Sequence, residues 1–229
     1  MSRCVFVAGA TGLAGSSIVR RLLTLDEVVT VRAGHMSDGG AFIADPRITY
    51  IRGDLRRAED CDRMVAGAHL AILAAAQSGG AQEAVSAPWR QVTDNVVMDT
   101  VLLDALHRAG VRRTVFVSSA TVYPELAGSI KESDLDWNIP PAPAYLGIGY
   151  AKRAAESLCR FWHERAGMAI IVARASNIFG PNAKFDPARS NFIPALIRKA
   201  VDRQDPFEVW GAPGVTRDVI YSEDFAEPS

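Results

Sequence analysis

The chain has 229 residues, of which 48% are hydrophobic, and a formal net charge of −1 at pH 7. A chain of this length and apolar content can bury a sizeable core, as one large domain or as one and a half. Basic and acidic residues are mixed along the sequence and the pI is near 6.4, which excludes the basic surface that nucleic acids and anionic membranes attract. We therefore expect neither partner.

The cysteines and the hydropathy pattern indicate the compartment. Cys4, Cys61 and Cys159 are odd in number and widely spaced, which favours neither a disulfide framework nor a metal site. The first residues lead directly into a β-branched run with no room for a signal peptide, and no apolar run is long enough to span a bilayer. We expect a cytoplasmic protein with no bound metal and no membrane partner.

Short β-branched runs alternate with longer segments of helical period, which is the pattern of βαβ units around a parallel sheet. The predicted strands are Cys4–Ala8, Val28–Arg32, Ile48–Ile51, His69–Ala74, Thr114–Ser118 and Ala169–Arg174. The predicted helices are Leu13–Leu25, Ala58–Ala66, Trp89–Ala109 and Tyr150–Ala166. This alternation predicts the α/β class, as a doubly wound parallel sheet with helices on both faces.

A glycine-rich segment, Gly9-Ala-Thr-Gly-Leu-Ala-Gly15, follows the first predicted strand and opens the first helix. Glycines in this context permit a tight turn, let the backbone approach a pyrophosphate, and allow the helix to pack closely on the sheet. The pattern predicts a Rossmann-type dinucleotide site, although a glycine turn without a ligand is the alternative. The predicted cofactor contacts in this segment are Gly9, Thr11, Gly12, Leu13 and Gly15.

The predicted end of the second strand indicates which dinucleotide is bound. An acidic residue there would hold the ribose hydroxyls of NAD, but the sequence reads Val31-Arg32-Ala33. A cation suits the 2′-phosphate of NADP, so we expect NADP to be preferred, with Arg32 on that phosphate. The alternative is that Arg32 is a solvated charge at a strand end.

Seven motifs follow one another along nearly the whole chain. They are Gly9-Ala-Thr-Gly-Leu-Ala-Gly, Gly53-Asp-Leu, Leu73-Ala-Ala-Ala, Val117-Ser-Ser-Ala-Thr-Val-Tyr, Ala151-Lys-Arg-Ala-Ala-Glu, Arg174-Ala-Ser-Asn-Ile-Phe-Gly-Pro and Thr216-Arg-Asp-Val-Ile-Tyr. In this order they resemble the extended short-chain dehydrogenases/reductases of the NAD-dependent epimerase/dehydratase family, which act on nucleotide sugars. Three segments are most similar to the GDP-fucose synthase-like group: Val122-Tyr-Pro, Gly149-Tyr-Ala-Lys-Arg and Asn191-Phe-Ile-Pro-Ala-Leu.

The resemblance implies an NAD(P)-binding domain over residues 1–175 and a small or truncated substrate-binding lobe over 176–229, because family members usually continue beyond this length. It also implies a role for particular residues in the motifs. The implied adenine contacts are Asp54 and Leu55, the implied lining of the dinucleotide cleft is Ala74 and Ala75, the implied active-site residues are Ser119 and Lys152, and the implied diphosphate ligands are Asn177 and Arg217.

Hydride transfer at a sugar carbon must be coupled to proton transfer at its oxygen. That coupling requires a hydroxyl group whose pKa is lowered by a nearby ammonium, and a second hydroxyl that holds the substrate oxygen. Lys152 would be the ammonium and Ser119 the second hydroxyl. The alternatives are that Ser119 is a polar strand end and that Lys152 is a solvated helix residue paired with Glu156.

The tyrosine of this family should lie four residues before Lys152, one helical turn away on the same face. Position 148 is isoleucine instead. Tyr150 is only two residues from Lys152 and would point nearly to the opposite side of a helix. Tyr145, beside the proline-rich run that precedes the helix, is the better substitute and is our candidate acid/base.

GDP-fucose synthases also use a cysteine and a histidine to invert two sugar carbons, and the matching positions here hold Thr121 and Asn191. Neither side chain serves easily as a carbon acid/base near neutral pH. The acidic pair of the dehydratases is replaced by Ala120 and Thr121, which disfavours elimination of water. Thr121 remains a candidate active-site residue because of its position in the motif and not because of its chemistry.

Two functions remain open. The first is a nucleotide-sugar 4-epimerase or 4-ketoreductase that passes a hydride through bound NAD(P). The second is a catalytically silent NAD(P)-binding module that has lost turnover with its tyrosine. The family resemblance further implies a homodimer through the helix of Lys152 and the long helix before the fifth strand. Leu158, Phe161 and Trp162 put apolar side chains on the first of these helices and are the candidate contacts. The alternative is that all three pack on the sheet of their own chain.

Overall fold

A computed structural model describes residues 3–25, 29–77, 88–186, 190–209, 214 and 216–227 of the chain. The strands of the main sheet are β1 (Arg3–Ala8), β2 (Val29–His35), β3 (Ile48–Arg52), β4 (Leu70–Leu73), β5 (Arg113–Ser119) and β6 (Ala169–Ala175). The helices are α1 (Leu13–Leu23), α2 (Ala58–Val65), α3 (Pro88–Arg108), α4 (Leu146–Ala166), α5 (Phe192–Val201) and α6 (Ser222–Ala226). Two short strands, β7 (Asn177–Phe179) and β8 (Val219–Tyr221), pair in parallel beside this sheet.

The six main strands are all parallel and lie in the order β3-β2-β1-β4-β5-β6. This is the strand order of a Rossmann fold, so the predicted fold class is confirmed. The order reverses between β1 and β4, and the crevice outside the carboxyl ends of the strands at that point is where open α/β sheets bind ligands.

Side chains alternate across β1, and each face of the sheet has its own hydrophobic core. Phe6 is fully buried in the core beneath α2, α3 and α4, together with Leu103 of α3. Val7 is fully buried on the opposite face, where Ile18 and Val19 of α1 cover it. Helices therefore lie on both faces of the sheet, as the hydrophobic pattern predicts.

The last described helix belongs to the core of the main sheet. Phe225 of α6 is buried in the same cluster as Ile18 of α1, and the Ser17 hydroxyl donates a 3.0 Å hydrogen bond to the Ser222 hydroxyl. The region predicted as a partial substrate-binding lobe thus contributes its final helix to the packing of the first domain. None of the helices in the described ranges is long and apolar enough to cross a bilayer.

Helix α4 begins four residues before its predicted start at Tyr150, because a single 3-10 turn, Pro143–Tyr145, leads directly into it. Proline is compatible with the first turn of a helix, where its missing N–H has no partner to lose. The helix ends as expected, at Gly167, whose φ of +65° gives a left-handed C-terminal cap.

The predicted place of Arg32 at the end of the second strand is wrong. Strand β2 continues to His35, so Arg32 lies within the strand and pairs with Thr49 of β3. Its guanidinium donates to the carbonyl oxygens of Met64, at 2.8 Å, and Arg63, at 2.6 Å, at the last turn of α2. A cation there complements the negative end of the helix, and Arg32 is not among the described residues that line the cleft.

Sequence propensity misses this extension because the added residues are Ala33, Gly34 and His35, and alanine and glycine are poor strand formers. Pairing with the two neighbouring strands extends β2 beyond Arg32. Ala33 and Gly34 pair with β1 on one side and with β3 on the other, so that the backbone is extended by the ladder despite its side chains.

Replacement of Arg32 by alanine is expected to lower the free energy of unfolding by about 1–2 kcal/mol, since two charge-assisted hydrogen bonds to carbonyls at the end of α2 are lost. Urea unfolding of the full chain measures this. Arg20→Ala, at an exposed position of α1, is the control and should have little effect. Unchanged stability in Arg32→Ala together with weaker NADPH binding would contradict this role and restore the phosphate assignment.

Candidate functional site

A single cleft runs along the carboxyl ends of the parallel strands. Backbone and side chains from the glycine turn, from the ends of β2, β4, β5 and β6, and from the start of α4 line one part of it. Residues from β7, α5 and the segment before β8 line the other part. The cleft therefore has the place and the two-part form of a site for a dinucleotide and a second ligand.

Two glycines shape the turn between β1 and α1. Gly9 has φ +72°, and a Cβ on it would lie 2.8 Å from the Cα of Ala75 at the end of β4. A Cβ on Gly15 would overlap the carbonyl of Gly9. Because both positions exclude a side chain, the first turn of α1 sits directly against the end of the sheet.

The N terminus of α1 opens into the cleft. Its first residue is Leu13 and its N-cap is Gly12, which has extended backbone and no side chain to satisfy the N–H groups of the first turn. Thr11, Gly12 and Leu13 all line the cleft. Backbone N–H groups and the positive end of the helix dipole make this position suitable for a diphosphate.

Asp54 and Leu55, the implied adenine contacts, both line the cleft. Arg56 donates to the Asp54 carboxylate at 2.7 Å and to Asp94 of α3 at 2.8 Å. The hydrogen bonds from Arg56 hold the pKa of Asp54 below its usual value. Asp54 is therefore an oriented carboxylate that can accept hydrogen bonds from a ligand.

The end of β2 brings in residues that the sequence reading missed because it stopped the strand at Arg32. His35, Met36 and Ser37 line the cleft beside the glycine turn. The Nδ1 atom of His35 lies 3.2 Å from the carbonyl oxygen of Ser37. A longer predicted strand would have placed these residues, rather than Arg32, opposite the predicted cofactor.

Ser119 ends β5 and begins a 3-10 turn over Ala120–Val122. Its hydroxyl accepts a 3.2 Å hydrogen bond from the backbone N–H of Thr121. The Thr121 hydroxyl is buried and has no hydrogen-bond partner among the residues described. Both residues line the cleft, so the turn brings two hydroxyl-bearing side chains to the carboxyl end of β5.

Lys152 is only 4% exposed, although it reaches the wall of the cleft. Its ammonium donates a 3.0 Å hydrogen bond to the carbonyl oxygen of Val117 and lies 4.6 Å from the centre of the Phe116 ring. Burial lowers the pKa of Lys152, and the negative charge of Asp99 opposes that shift. The alternative of a solvated lysine paired with Glu156 is wrong.

Glu156 instead forms a buried network below the cleft. Arg174 of β6 pairs with the Glu156 carboxylate at 2.8 Å, and the Ser118 hydroxyl donates to the same carboxylate at 2.5 Å. Arg174 also donates to the Tyr123 hydroxyl at 3.0 Å. These contacts tie α4 to β5, β6 and the turn after Ser119. Motif spacing alone gave no sign that the four side chains meet.

The two tyrosine candidates differ in their access to the cleft. Tyr145, at the N-cap of α4, lines the cleft together with Ile148. Tyr150 is 50% exposed and lies outside the residues that line it. Tyr145 is thus the tyrosine of this helix that has access to the site.

Asn177 and Arg217 lie at the other part of the cleft. The side-chain amide of Asn177 donates to the carbonyl oxygen of Asp218 at 2.9 Å, which joins β7 to the segment before β8. Three further basic residues, Lys184, Arg198 and Lys199, line the same region. In the sequence, only the positive charge of these residues pointed to a role in the cleft. The orientation of α5 decides that Arg198 and Lys199 line it.

No cluster of histidine, cysteine and acidic side chains that could hold a metal ion occurs among the residues described. The buried thiols of Cys61 and Cys159 lie apart, and burial raises the pKa of each to about 12. The polar groups that line the cleft include hydroxyl, ammonium, carboxylate and guanidinium groups.

Comparison with curated proteins gives relatives that match 97% of the chain. A GDP-L-fucose synthase of Sinorhizobium fredii is 30% identical over 230 residues, and GDP-mannose 3,5-epimerase 1 of Oryza sativa subsp. japonica is 30% identical over 232 residues. The chain spans 68% of the length of the first relative and 59% of the second. The activities of these longer proteins are properties of the whole relatives.

Solved structures confirm the fold. A UDP-N-acetylglucosamine 4-epimerase from Methanobrevibacter ruminantium M1, in complex with UDP-N-acetylmuramic acid, superposes with a TM-score of 0.84 at 25% identity, over 99% of this chain and 71% of that one. A GDP-L-fucose synthetase from Naegleria fowleri bound to NADP gives 0.77 at 24% identity over the same shares.

The family profile described as NAD dependent epimerase/dehydratase family matches residues 5–228. This match covers nearly the whole chain and agrees with the relatives and with the sheet topology. The resemblance predicted from the seven motifs is confirmed. The chain belongs to the NAD-dependent epimerase/dehydratase family.

Proposed function

We propose that the chain binds NAD(P) and a nucleotide sugar and acts as a 4-epimerase or 4-ketoreductase by hydride transfer through the nicotinamide. The observation that carries this proposal is the convergence of three groups on one cleft. The glycine turn, the pair Ser119 and Lys152, and the pair Asn177 and Arg217 all line it. The first of these suits a dinucleotide, the second proton transfer, and the third a diphosphate.

The residues present fit a dinucleotide. The excluded side chains at Gly9 and Gly15 and the open N terminus of α1 leave backbone N–H groups for its diphosphate. Asp54 and Leu55 would hold the adenine, and Ala74 and Ala75 would border the dinucleotide. When bound, NAD(P) supplies the hydride acceptor and donor for a sugar carbon.

The proposal concerns NAD(P) as a class. Arg32 is no longer a reason to expect tighter binding of NADP than of NAD, because its guanidinium is bound to the carbonyl oxygens at the C-terminal end of α2. The residues at the end of β2 that line the cleft, His35, Met36 and Ser37, include no carboxylate to bind the ribose hydroxyls of NAD either. Titration with both cofactors decides between them.

Within the cleft the side chains have separate tasks. Ser119 would donate to the sugar oxygen and hold it in place, while the Lys152 ammonium would favour negative charge at that oxygen. The proton would move through Tyr145 or a bound water, since Ile148 carries no hydroxyl. A positioned acid/base contributes about 10²–10⁴ in rate, so its displacement implies slow turnover.

Asn177 and Arg217 would hold the diphosphate of the nucleotide sugar. A guanidinium matches phosphate oxygens with two parallel hydrogen bonds, and the further basic residues at this part of the cleft add favourable charge. The UDP-N-acetylmuramic acid in the Methanobrevibacter ruminantium structure supports a nucleotide sugar as the ligand class.

The catalytically silent NAD(P)-binding module is the second candidate, and Ile148 favours it. Such a protein would keep the glycine turn and the diphosphate residues and would bind without turnover. The two candidates give different results when the missing hydroxyl is restored.

Ile148→Tyr is expected to raise turnover of a nucleotide sugar by at least about tenfold, within the range that a general acid/base supplies. The new phenol would lie one helical turn from Lys152, on the same face of α4, where the ammonium lowers its pKa. Steady-state rates with a panel of nucleotide sugars measure the effect, and adding Lys152→Ala to the Ile148→Tyr variant should abolish the gain.

Ile148→Phe is the matched control, because it adds the ring without the hydroxyl and should not raise turnover. Equal cofactor affinity in all variants is verified by fluorescence titration of NADPH. Turnover by the parent at the pace of ordinary enzymes, with no gain from tyrosine, would contradict the proposed alignment of α4. Binding without turnover in every variant would favour the silent module.

We also propose a homodimer through the outer surface of α3 and α4. Leu158 and Trp162, two of the three predicted contacts, pack partly against the core of their own chain. Phe161 is 51% exposed, and Tyr150, eleven residues before it, falls on the same helical face. The proposed contact therefore depends on Phe161 and Tyr150 more than on the other two side chains.

Light scattering at tens of micromolar is expected to give about twice the mass of the 24.7 kDa chain. Phe161→Glu should give the monomer, because a charge in an apolar contact is costly to desolvate. Val201→Glu, at an exposed apolar position of α5, is the control and should remain dimeric. A monomeric parent would rule out the dimer and leave the fold unaffected.

A further inference from the structure

Helix α3, which packs against α4, carries a buried polar ridge. Gln91, Asn95 and Asp99 are spaced four residues apart, and each is less than a tenth exposed. Such spacing places side chains one above another on a helix. Burial of three polar side chains in a row costs free energy unless each has a partner or a task.

Asn95 has hydrogen-bond partners, and Gln91 borders the cleft. The Asn95 side chain accepts from the backbone N–H of Gln77 at 2.9 Å and donates to the carbonyl oxygens of Gln77 and Gln91, at 3.0 and 2.6 Å. Asn95 thereby fixes the segment after β4 that borders the cleft. Gln91 itself lines the cleft.

Asp99 differs from them. It is 2% exposed, and its Oδ2 atom has no hydrogen-bond partner within the described part of the chain. Burial raises the pKa of Asp99 to about 6, and the Lys152 ammonium opposes that shift. A buried carboxylate without a full set of partners costs the fold free energy. Lys152 lies on α4, the helix that packs against α3, and its positive charge offsets part of that cost.

Among the described residues, the Lys152 ammonium has unused hydrogen-bond donors. It has three N–H donors, and one of them is used, on the carbonyl oxygen of Val117. The charged or titratable groups that face it are Asp99 from α3 and Glu156 and Cys159 from α4. Glu156 is already neutralised by Arg174, and the Cys159 thiol is uncharged near neutral pH. Asp99 is therefore the uncommitted negative charge in the surroundings of the ammonium.

We propose that Asp99 is a positioning residue that keeps the Lys152 ammonium charged at the wall of the cleft. This inference rests on the proposed function, in which that charge acts on the reacting oxygen. It explains why a carboxylate occupies a core position of α3. It also matters more in this chain than in one with a tyrosine at position 148, because Lys152 is the cation that the proposed function places in the proton-transfer site.

The charge of Lys152 is measured directly in the full chain without ligand. The sequence has four lysines, Lys131, Lys152, Lys184 and Lys199, so ¹³Cε-labelled lysine gives few NMR signals, and Lys152→Met assigns the one of interest. In Asp99→Asn, Lys152 should lose its proton at a pH lower by about one unit, a tenfold change in proton affinity. The sign follows from removing a negative charge that favours the ammonium.

Asp104→Asn is the matched control. Asp104 lies on the same helix, is paired with Arg108 at 2.8 Å and has a half-exposed side chain, so its removal should leave the Lys152 titration unchanged. An unchanged Lys152 titration in Asp99→Asn would overturn the proposal. If Asp99→Asn does not fold, Lys152→Met with labelled aspartate tests the reciprocal effect, and Asp99 must then titrate at a higher pH.

Activity separates this inference from the proposed function. In an active enzyme, kcat of Asp99→Asn should fall at a lower pH than kcat of the parent, by the same shift that NMR records. A shifted Lys152 titration in a protein that binds no NAD(P)H and turns over no nucleotide sugar would support the role of Asp99 and contradict the proposed function. An unshifted Lys152 titration in a protein that turns over a nucleotide sugar would contradict the role of Asp99 and support the proposed function.

Discussion

The structure depends on the close approach of α1 to the end of the sheet. Gly9 and Gly15 have no room for a Cβ, because the backbone of Ala75 and the carbonyl of Gly9 occupy that space. This contact brings the N terminus of α1 beside the ends of β1 and β4, where the strand order reverses. The cleft and its capacity for a diphosphate both follow from that approach.

Burial of charge organises the opposite wall of the cleft. Helix α4 places Lys152 and Glu156 one turn apart, and both side chains are buried. Glu156 is paired with Arg174, and we propose that Asp99 supplies the negative charge for Lys152. An unpaired charge is costly to bury. Separate counter-charges would therefore let Lys152 stay charged at the wall of the cleft while Glu156 joins α4 to the sheet.

Periodicity predicted the sheet, and the spacing of the glycines predicted the turn between β1 and α1. The sequence named many of the residues that line the cleft but missed His35, Met36 and Ser37. It misplaced Arg32 because the propensities of Ala33 and Gly34 are weaker than the pairing of β2 with both neighbouring strands. Asp99 was missed for a related reason. A carboxylate on an amphipathic helix is ordinarily solvated, and only tertiary packing buried this one.

The central claim is that the N terminus of α1 binds the diphosphate of NAD(P), and Gly12→Asp tests it most directly. The backbone of Gly12 is extended, as an N-cap requires, so aspartate should cap α1 and preserve or raise stability. Its carboxylate would also repel the diphosphate. Calorimetric titration with NADP⁺ and NAD⁺ should show 1:1 binding to the parent and none to a fully folded Gly12→Asp. No binding to the parent, or equal binding to both proteins, would contradict the account.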